Sequence, residues 1–266
     1  MSATEAFSRQ SVYFDTLEEK HRVLTYLRAQ VRAHVRRFIE PGDFMLELNA
    51  GTGLDALYWV KRGVRVHATD AAEGMLKQLH QKKEYSSAGR MTVEYLDFTR
   101  IEHLQYKGFS YVFSNFGGLN CTANLEAVMD GLMPFLAAEA TITWVLMPPF
   151  CLREALKLLR GRWRYASRRW RGHTTAHLEG VHFPVYYHAP GKVKRLFQSY
   201  GFETVALEAM SLLYPLPEEE EWAKKHPLLT RWCSYLDSKL RHRMPWAAWG
   251  DHYIITARRK KQYACV

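Results

Sequence analysis

Several features that would place a chain in a membrane or in an oxidising compartment are missing from this sequence. No stretch approaches the ~18 consecutive apolar residues that a membrane-spanning helix needs. The four cysteines form no Cys-x-x-Cys pair and have no histidine at metal-ligand spacing, so we expect reduced thiols. The first residues lack a basic segment followed by an apolar one, which is the pattern of a secretory signal, and a cytoplasmic location is therefore the expectation.

The composition excludes a disordered chain and is typical of one large folded domain. Hydrophobic residues make up 47% of the 266 positions and aromatic residues 14%, which is enough for a sizeable core. The formal net charge of +10 favours anionic partners such as nucleic acid, phospholipid headgroups or an acidic small substrate. Much of this charge lies in residues 153–171, where arginines and one lysine are accompanied by a single acid, Glu154.

The chain is organised around a glycine-containing turn that lies between two apolar runs. Phe44–Leu48 predicts a buried strand, Gly51 and Gly53 follow it, and a helix-length segment leads to a second apolar run that ends at Asp70. Glycine lacks a Cβ, so a ligand can touch the backbone there. The free N–H groups at the start of the helix attract an anionic group, and a carboxylate after the second strand can bind ribose hydroxyls. These features predict a ligand that contains a nucleoside.

The glycines alone leave two kinds of nucleoside ligand open. Residues 51–56 satisfy the dinucleotide pattern Gly-x-Gly-x-x-Ala, so an NAD(P)-dependent oxidoreductase is one alternative. Glu47 shifts the balance, because an acid beside the loop suits a ligand that carries a cationic amine. The segment Glu47–Gly53 resembles the first motif of the class I S-adenosylmethionine-dependent methyltransferases, acid-x-Gly-x-Gly-x-Gly. Asn49 replaces the first glycine, and asparagine tolerates left-handed backbone angles better than other residues.

Three further segments extend this resemblance over roughly residues 10–150. Asp70–Leu76 resembles the second-strand acid and the following Met-Leu pair of the family, Val93–Phe98 its third strand, and Phe109–Phe116 its fourth. The resemblance implies S-adenosyl-L-methionine as cofactor, with Glu47 at its amino group, Asp70 at the ribose and Asp97 at the adenine edge. The full set of implied cofactor residues is Glu47, Asn49, Ala50, Gly51, Gly53, Asp70, Ala71, Met75, Asp97, Phe98 and Asn115.

The fold implied by the resemblance is α/β, a doubly wound Rossmann-like sheet of seven strands. The sheet is expected to be mostly parallel with an antiparallel last strand, and residues 1–266 are expected to form a single domain. The apolar positions of Thr16–Ile39 recur at intervals of three and four and predict a long helix within an N-terminal lid over residues 1–40. Interruptions of the regular pattern predict helical and β-structured cap insertions at residues 150–190 and 215–248.

Candidates for acceptor binding and catalysis come from the lid and the cap. An aromatic side chain near residue 13 could cover the cofactor, arginines of the basic stretch could bind an acidic substrate, and a histidine could serve as a base. His173 and His177 could place two imidazoles on one helical face as metal ligands, but their segment is typical of a strand and no acid partner is evident, so no metal is predicted. The candidates are His188 and Tyr187 for catalysis, Tyr13, Arg164 and Arg169 for the substrate, and Phe14 as the alternative covering aromatic.

The leading functional hypothesis is methyl transfer to an oxygen or nitrogen atom of a small or medium organic acceptor, acidic or aromatic in character. Such an in-line displacement needs mainly alignment and water exclusion. One alternative is an RNA methyltransferase that uses residues 153–171 with Trp163 and Trp170 as stacking platforms, although the chain shows no added RNA-binding module. An NAD(P)-dependent oxidoreductase and a non-catalytic cofactor-binding protein are the others. The sequence gives no indication of the oligomeric state.

Overall fold

The computed structural model describes residues 2–84, 89–161 and 163–260. Its strands are β1 Phe44–Leu48, β2 Arg65–Asp70, β3 Met91–Tyr95, β4 Phe109–Ser114, β5 Leu136–Leu146, β6 His173–Leu178, β7 Val181–Tyr186, β8 Phe202–Met210 and β9 His252–Arg259. Within these residues, seven strands form one sheet in the order β3-β2-β1-β4-β5-β9-β8, and β6 and β7 form a separate hairpin.

The large sheet is parallel from β3 through β5, and β9 is antiparallel to both of its neighbours. The predicted fold class, a seven-stranded α/β sheet with an antiparallel last strand, is therefore confirmed. In β1, Glu47 pairs with Ala68 of β2 and with Phe113 of β4. Because these registers are level, the residues that follow the three strands meet at one edge of the sheet.

Helices cover both faces of the sheet. They are α1 Ala3–Gln10, α2 Phe14–Lys20, α3 Arg22–Val35, α4 Leu54–Val60, α5 Glu73–Glu84, α6 Leu125–Leu132, α7 Leu152–Ala155, α8 Trp163–Ala166, α9 Pro190–Ser199, α10 Glu220–Lys225 and α11 Pro227–Leu240. Successive residues of β1 point to opposite faces, so Met45 packs in the core cluster around Trp59 and Leu46 in the cluster around Trp144. None of the described helices is both long and apolar enough to cross a bilayer.

The N-terminal segment differs from its prediction, since the helix expected over Thr16–Ile39 is divided. The chain is extended at His21, whose Nδ1 accepts the N–H of Leu24 and so begins α3. Glu220 of α10 accepts the N–H groups of Arg22 and Val23 at 3.1 and 3.0 Å. A carboxylate from a distant helix thus satisfies the free donors of the first turn, which the local apolar periodicity could not reveal.

The two predicted cap insertions occupy different places. In residues 150–190 the structure forms the expected hairpin, and α1 packs on it through Phe7 and Phe183, whose ring centroids lie 5.7 Å apart. Residues 215–248 instead pack beside α3, where the Tyr26 hydroxyl and Ser234 Oγ are 2.7 Å apart. The N-terminal segment and the hairpin of residues 150–190 are therefore in contact.

Candidate functional site

A cavity of about 300 Å³ lies at the carboxyl ends of β1, β2 and β4. One wall, which we call the strand-end wall, is built from residues 49–51, 70–72, 97–99 and 115–116. The opposite side is built from residues 2–4, Phe7 and Phe14, and we call it the N-terminal wall. Of the predicted cofactor residues, those that line the cavity are Asn49, Ala50, Gly51, Asp70, Ala71, Met75, Asp97, Phe98 and Asn115.

The turn after β1 alternates left-handed residues, with φ angles of 45° at Asn49, 59° at Gly51 and 85° at Gly53. The two glycines are required for different reasons. A Cβ on Gly51 would meet only Met75 Sδ, at 4.0 Å, so this position is open. A Cβ on Gly53 would lie 2.3 Å from Leu79 Cδ1, and Gly53 does not line the cavity. Gly51 therefore leaves room for a ligand, and Gly53 leaves room for the core.

The side chain of Asn49 joins the turns after β1 and β4. Its Nδ2 donates to the carbonyl of Asn115 at 3.1 Å, and its Oδ1 accepts from Ser114 Oγ at 2.6 Å. A Cβ on Gly118 would approach this amide to 2.3 Å, so the two turns are closely packed. The asparagine that replaces a family glycine thus adds a cross-link between strand ends.

Asp70 is held in place by backbone donors. The N–H of Gly51 donates to Oδ2 and the N–H of Ala72 donates to Oδ1, both at 2.8 Å. Burial raises the pKa of Asp70, and the backbone N–H groups of Ala72 and Gly51 oppose that shift. Each carboxylate oxygen keeps a further lone pair, so a hydroxyl in the cavity can donate to it.

A second carboxylate, Asp97, is held in a similar way. Its Oδ1 accepts from the Thr99 N–H at 2.9 Å and from Thr99 Oγ1 at 2.6 Å. These bonds fix the rotation of the carboxylate and leave Oδ2 available for a donor in the cavity. Phe98 beside it also lines the cavity and packs against the core.

Sequence reasoning missed Arg28, which lines the cavity from α3 and is 8% exposed. Its Nε donates to Glu18 Oε2 at 2.9 Å, and its NH1 group donates to Asp55. Its guanidinium carbon lies 4.7 Å from the ring centroid of Phe116. Arg28 occupies an ordinary position in a helical pattern, and only the packing of α3 on α4 brings it to the cavity.

Asp55 connects this arginine to the strand ends. It also accepts from Arg32 Nε at 2.7 Å and from Asn115 Nδ2 at 2.8 Å. Burial alone would raise the pKa of Asp55, but the guanidinium groups of Arg28 and Arg32 lower it below its ordinary value. The network therefore contains an ionised aspartate between two cations.

Glu47, predicted to face the amino group of the cofactor, is 2% exposed and is not among the cavity-lining residues. Burial and then the charge of Asp55 raise its pKa well above the ordinary value. Within the part of the chain that the structure describes, its Oε2 has no hydrogen-bond partner. A buried acceptor without a donor is costly, so a donor supplied by a ligand would stabilise it.

The lid aromatics divide into one that lines the cavity and one that does not. Phe14 belongs to the N-terminal wall, whereas Tyr13 is 40% exposed and its hydroxyl donates to Glu179 at the turn of the hairpin. Asp15, the next residue, accepts from Thr52 Oγ1 in the glycine turn at 2.5 Å. The N-terminal segment is therefore attached to the glycine turn.

The arginines predicted to bind substrate are not at the cavity. The guanidinium group of Arg169 is 2.6 Å from Glu154 Oε1 and 2.5 Å from Asp251 Oδ1, and its side chain is buried. Arg164 is exposed beside the ring of Trp163.

Cys151, Glu154 and Asp251 form a cluster in which the atoms that could bind a metal lie within 4.8 Å of one another. The guanidinium of Arg169 already neutralises both carboxylates of this cluster. Cys265 and Arg162 lie outside the described residues.

The two catalytic candidates also lie away from the cavity lining. His188 Nε2 is 3.0 Å from the carbonyl oxygen of Thr122, and burial lowers its pKa. Burial raises the pKa of Tyr187, whose ring faces Arg169 at 5.2 Å. Cys121, which precedes Thr122 in the chain, does line the cavity. Burial raises the pKa of its thiol to about 11. This thiol is therefore neutral near pH 7.

Solved structures share this architecture over most of the chain. A candidate S-adenosylmethionine-dependent methyltransferase of Listeria monocytogenes matches with a TM-score of 0.60 at 15% identity, over 86% of this chain and 96% of that one. The chain has the S-adenosylmethionine-dependent methyltransferase fold. A methyltransferase from Mesorhizobium loti matches at 0.56 and 15% identity over 91% and 99%. The 1,6-didemethyltoxoflavin N1-methyltransferase of Burkholderia thailandensis, solved with its substrate and S-adenosylhomocysteine, matches at 0.54 and 14% over 96% and 88%.

No family model matches the chain, and no curated protein matches it in sequence. The methyltransferase fold also separates the chain from the usual dinucleotide-binding arrangement. In that arrangement the sheet continues in the order 3-2-1-4-5-6, whereas here the antiparallel β9 lies between β5 and β8.

Proposed function

We propose that this chain is an S-adenosylmethionine-dependent methyltransferase that acts on a small or medium organic acceptor, at oxygen or nitrogen. The observation that carries the proposal is the strand-end wall, where the open position at Gly51 shares the cavity with two carboxylates, Asp70 and Asp97, that are held by hydrogen bonds. This wall occurs in a methyltransferase fold, at the edge where such sheets bind ligands.

The nucleoside half of the cofactor fits the residues after β2 and β3. Asp70 has lone pairs for two ribose hydroxyls, and Asp97 has a free oxygen for the exocyclic amine of adenine. Met75 and Phe98 supply apolar surface for the base. These roles are the ones that the family resemblance implies for the same residues.

The amino-acid half fits the charge network between α3 and the glycine turn. Arg28 is a buried cation on the cavity wall and would bind a carboxylate. The unpartnered oxygen of Glu47 would accept a hydrogen bond from the α-amine, which would also keep this glutamate ionised. When bound, the cofactor supplies a methyl group that its sulfonium centre activates for displacement.

The chain itself contributes alignment and exclusion of water. Phe7 and Phe14 cover the cavity, and Phe116 and the neutral thiol of Cys121 add apolar surface. The ionisable side chains that line the cavity among the described residues are Arg28, Asp70, Asp97 and Cys121, each with a role above. These residues favour an aromatic acceptor over an acidic one, because Arg164 and Arg169 lie elsewhere.

The RNA alternative is weakened by the pairing of the basic stretch. Arg153 and Lys157 pair with Glu219, and Arg168 and Arg169 pair with Glu154. Binding of nucleic acid depends on cations that can replace counterions along the phosphate backbone. Most of the described cations of residues 153–171 are neutralised within the protein instead.

Calorimetric titration with S-adenosylhomocysteine tests the cofactor assignment. We expect the Asp70→Ala substitution to weaken binding about 100-fold, because two hydrogen bonds to a charged acceptor are lost. Glu73→Ala, three residues away on the exposed side of α5, is the matched control and should bind normally. Unchanged affinity in Asp70→Ala, with a normal thermal melt, would contradict the assignment.

Titrations of the unmodified protein separate the remaining alternatives. Binding of NADPH without binding of S-adenosylhomocysteine would indicate an oxidoreductase, and RNA binding that falls steeply with salt would indicate an RNA methyltransferase. A screen of aromatic acceptors with radiolabelled S-adenosylmethionine then distinguishes an enzyme from a protein that only binds the cofactor. Transfer of label to an acceptor is the expected result.

A further inference from the structure

Helix α11 has its apolar side chains on the outside. Positions 228, 229, 232, 235 and 236 recur at the spacing of one helical face, and all five side chains are exposed. Their exposed fractions are Leu228 74%, Leu229 54%, Trp232 64%, Tyr235 53% and Leu236 40%. An apolar face of this size that remains in water is characteristic of a surface that binds something. We call these five residues the outer face of α11.

The opposite side of the helix, which packs on the protein, is held there by polar contacts. Ser234 contacts the Tyr26 hydroxyl of α3. Asp237 is buried and accepts the N–H groups of Leu212, Leu213 and Tyr214 at 3.1, 2.7 and 3.2 Å. These bonds fix the rotation of α11 about its axis, so the outer face cannot turn inward without breaking them. The exposure of the apolar residues is therefore built into the fold.

The surroundings of the outer face carry positive charge. Lys225, Arg231, Lys239 and Arg243 are all exposed, and Met244 beside Arg243 is 68% exposed. Between residues 224 and 243 the one acid is Asp237, which faces inward. A surface with tryptophan, tyrosine and leucine on one side and basic residues around them matches helices that lie in the interface of an anionic bilayer.

We propose that the outer face of α11 binds the surface of a bilayer that contains anionic phospholipid. Tryptophan and leucine enter the boundary between headgroups and acyl chains, and the lysines and arginines contact the headgroup phosphates. A second copy of the chain is the less favourable occupant, because pairing two such faces would bring their cations together in a protein of net charge +10. This surface is separate from the cavity, so the inference does not rest on the proposed function.

Sedimentation with vesicles tests the inference on the whole 266-residue chain. We expect the protein to bind vesicles of phosphatidylcholine with about one third phosphatidylglycerol and to bind pure phosphatidylcholine at least about tenfold more weakly. The double variant Leu229→Ser with Trp232→Ser should lose at least about tenfold in partitioning to the anionic vesicles. Val205→Ser, which removes an apolar side chain that is 46% exposed on β8, is the matched control and should bind like the unmodified protein.

Charge reversal provides a second variant at exposed positions that do not pack in the core. Each cation near an anionic bilayer contributes about fivefold to partitioning, so Arg231→Glu with Lys239→Glu should weaken binding by about 25-fold or more. Equal binding by this variant, or no binding of the unmodified protein to anionic vesicles, would overturn the proposal. A lipid-free dimer in light scattering that dissociates in Leu229→Ser with Trp232→Ser would also overturn it, by showing that a second copy covers the face.

Discussion

Each carboxylate of the strand-end wall accepts a hydrogen bond from a residue two positions later, whereas Arg153 and Arg169 of the first predicted cap insertion reach distant segments. Asp97 bonds to Thr99 two residues away, and Asp70 bonds to Ala72 at the same separation. In the cap, Arg169 reaches Asp251, 82 residues later, and Arg153 reaches Glu219, 66 residues later. The wall presents its side chains to a cavity. The charged side chains of residues 150–190 instead form ion pairs with other parts of the chain.

This difference shows why a cluster of arginines is a poor indicator of a binding site by itself. Arg169 looks like a substrate contact in the sequence, yet it is 2% exposed and pairs with two buried carboxylates. An arginine that stabilises the fold and an arginine that binds a ligand are the same residue type in the sequence. Only the location of the partner carboxylates distinguishes them.

The largest expected effect comes from removing the central cation of the cap. Arg169→Ala leaves Glu154 and Asp251 buried without their partner, and we expect the free energy of unfolding to fall by about 3 to 5 kcal/mol. Urea denaturation measures the change, with Arg164→Ala as the exposed control at less than about 0.5 kcal/mol. Equal effects of the two substitutions would show that the buried pairing does not hold the cap.

The attachment of α11 should depend on pH. Burial raises the pKa of Asp237 to about 6, against the three backbone N–H groups that lower it. Since the folded pKa exceeds the unfolded one, the stability contributed by the protonated carboxyl is present below about pH 4 and is lost as the pH rises through 6. The loss reaches roughly 3 kcal/mol by pH 7. Asp237→Asn should remove this part of the pH dependence in urea denaturation between pH 4 and 7, and an identical profile would refute it.

A smaller effect is expected in the glycine turn next to the strand-end wall. Gly53→Ala introduces a Cβ at a φ of 85° and 2.3 Å from Leu79 Cδ1, and we expect a loss of about 2 kcal/mol in the free energy of unfolding. Gly201→Ala is the matched control, because its φ is 80° and nothing lies within 4 Å of the added atom. Thermal denaturation of both variants separates the backbone cost from the packing cost. Equal losses would show that Leu79 moves aside without cost.

Most of the residues predicted to bind the cofactor were named from short-range patterns, and nine of the eleven line the cavity. Asn49, Gly51, Asp70 and Asp97 each lie at or just after the carboxyl end of a strand, and parallel strands in register bring such residues to one edge. Phe14 lies near the start of the segment that resembles the family, and this position made it a candidate for the aromatic that covers the cavity. Glu47 and Gly53 lie in the same motif but do not line the cavity, since Glu47 is buried and Gly53 packs closely against Leu79.

The sequence by itself determined the α/β class, the order of the motifs and the edge of the sheet that carries the cavity, because strand periodicity, glycine turns and strand-end acids act over a few residues. Only the tertiary structure decided that Arg28 lies on the cavity wall, that Glu220 divides the predicted long helix, and that α11 packs with its polar side inward. Each of these depends on a partner far away in the chain. The energy of a buried charge or hydrogen bond is set by that partner, and local patterns carry no record of it.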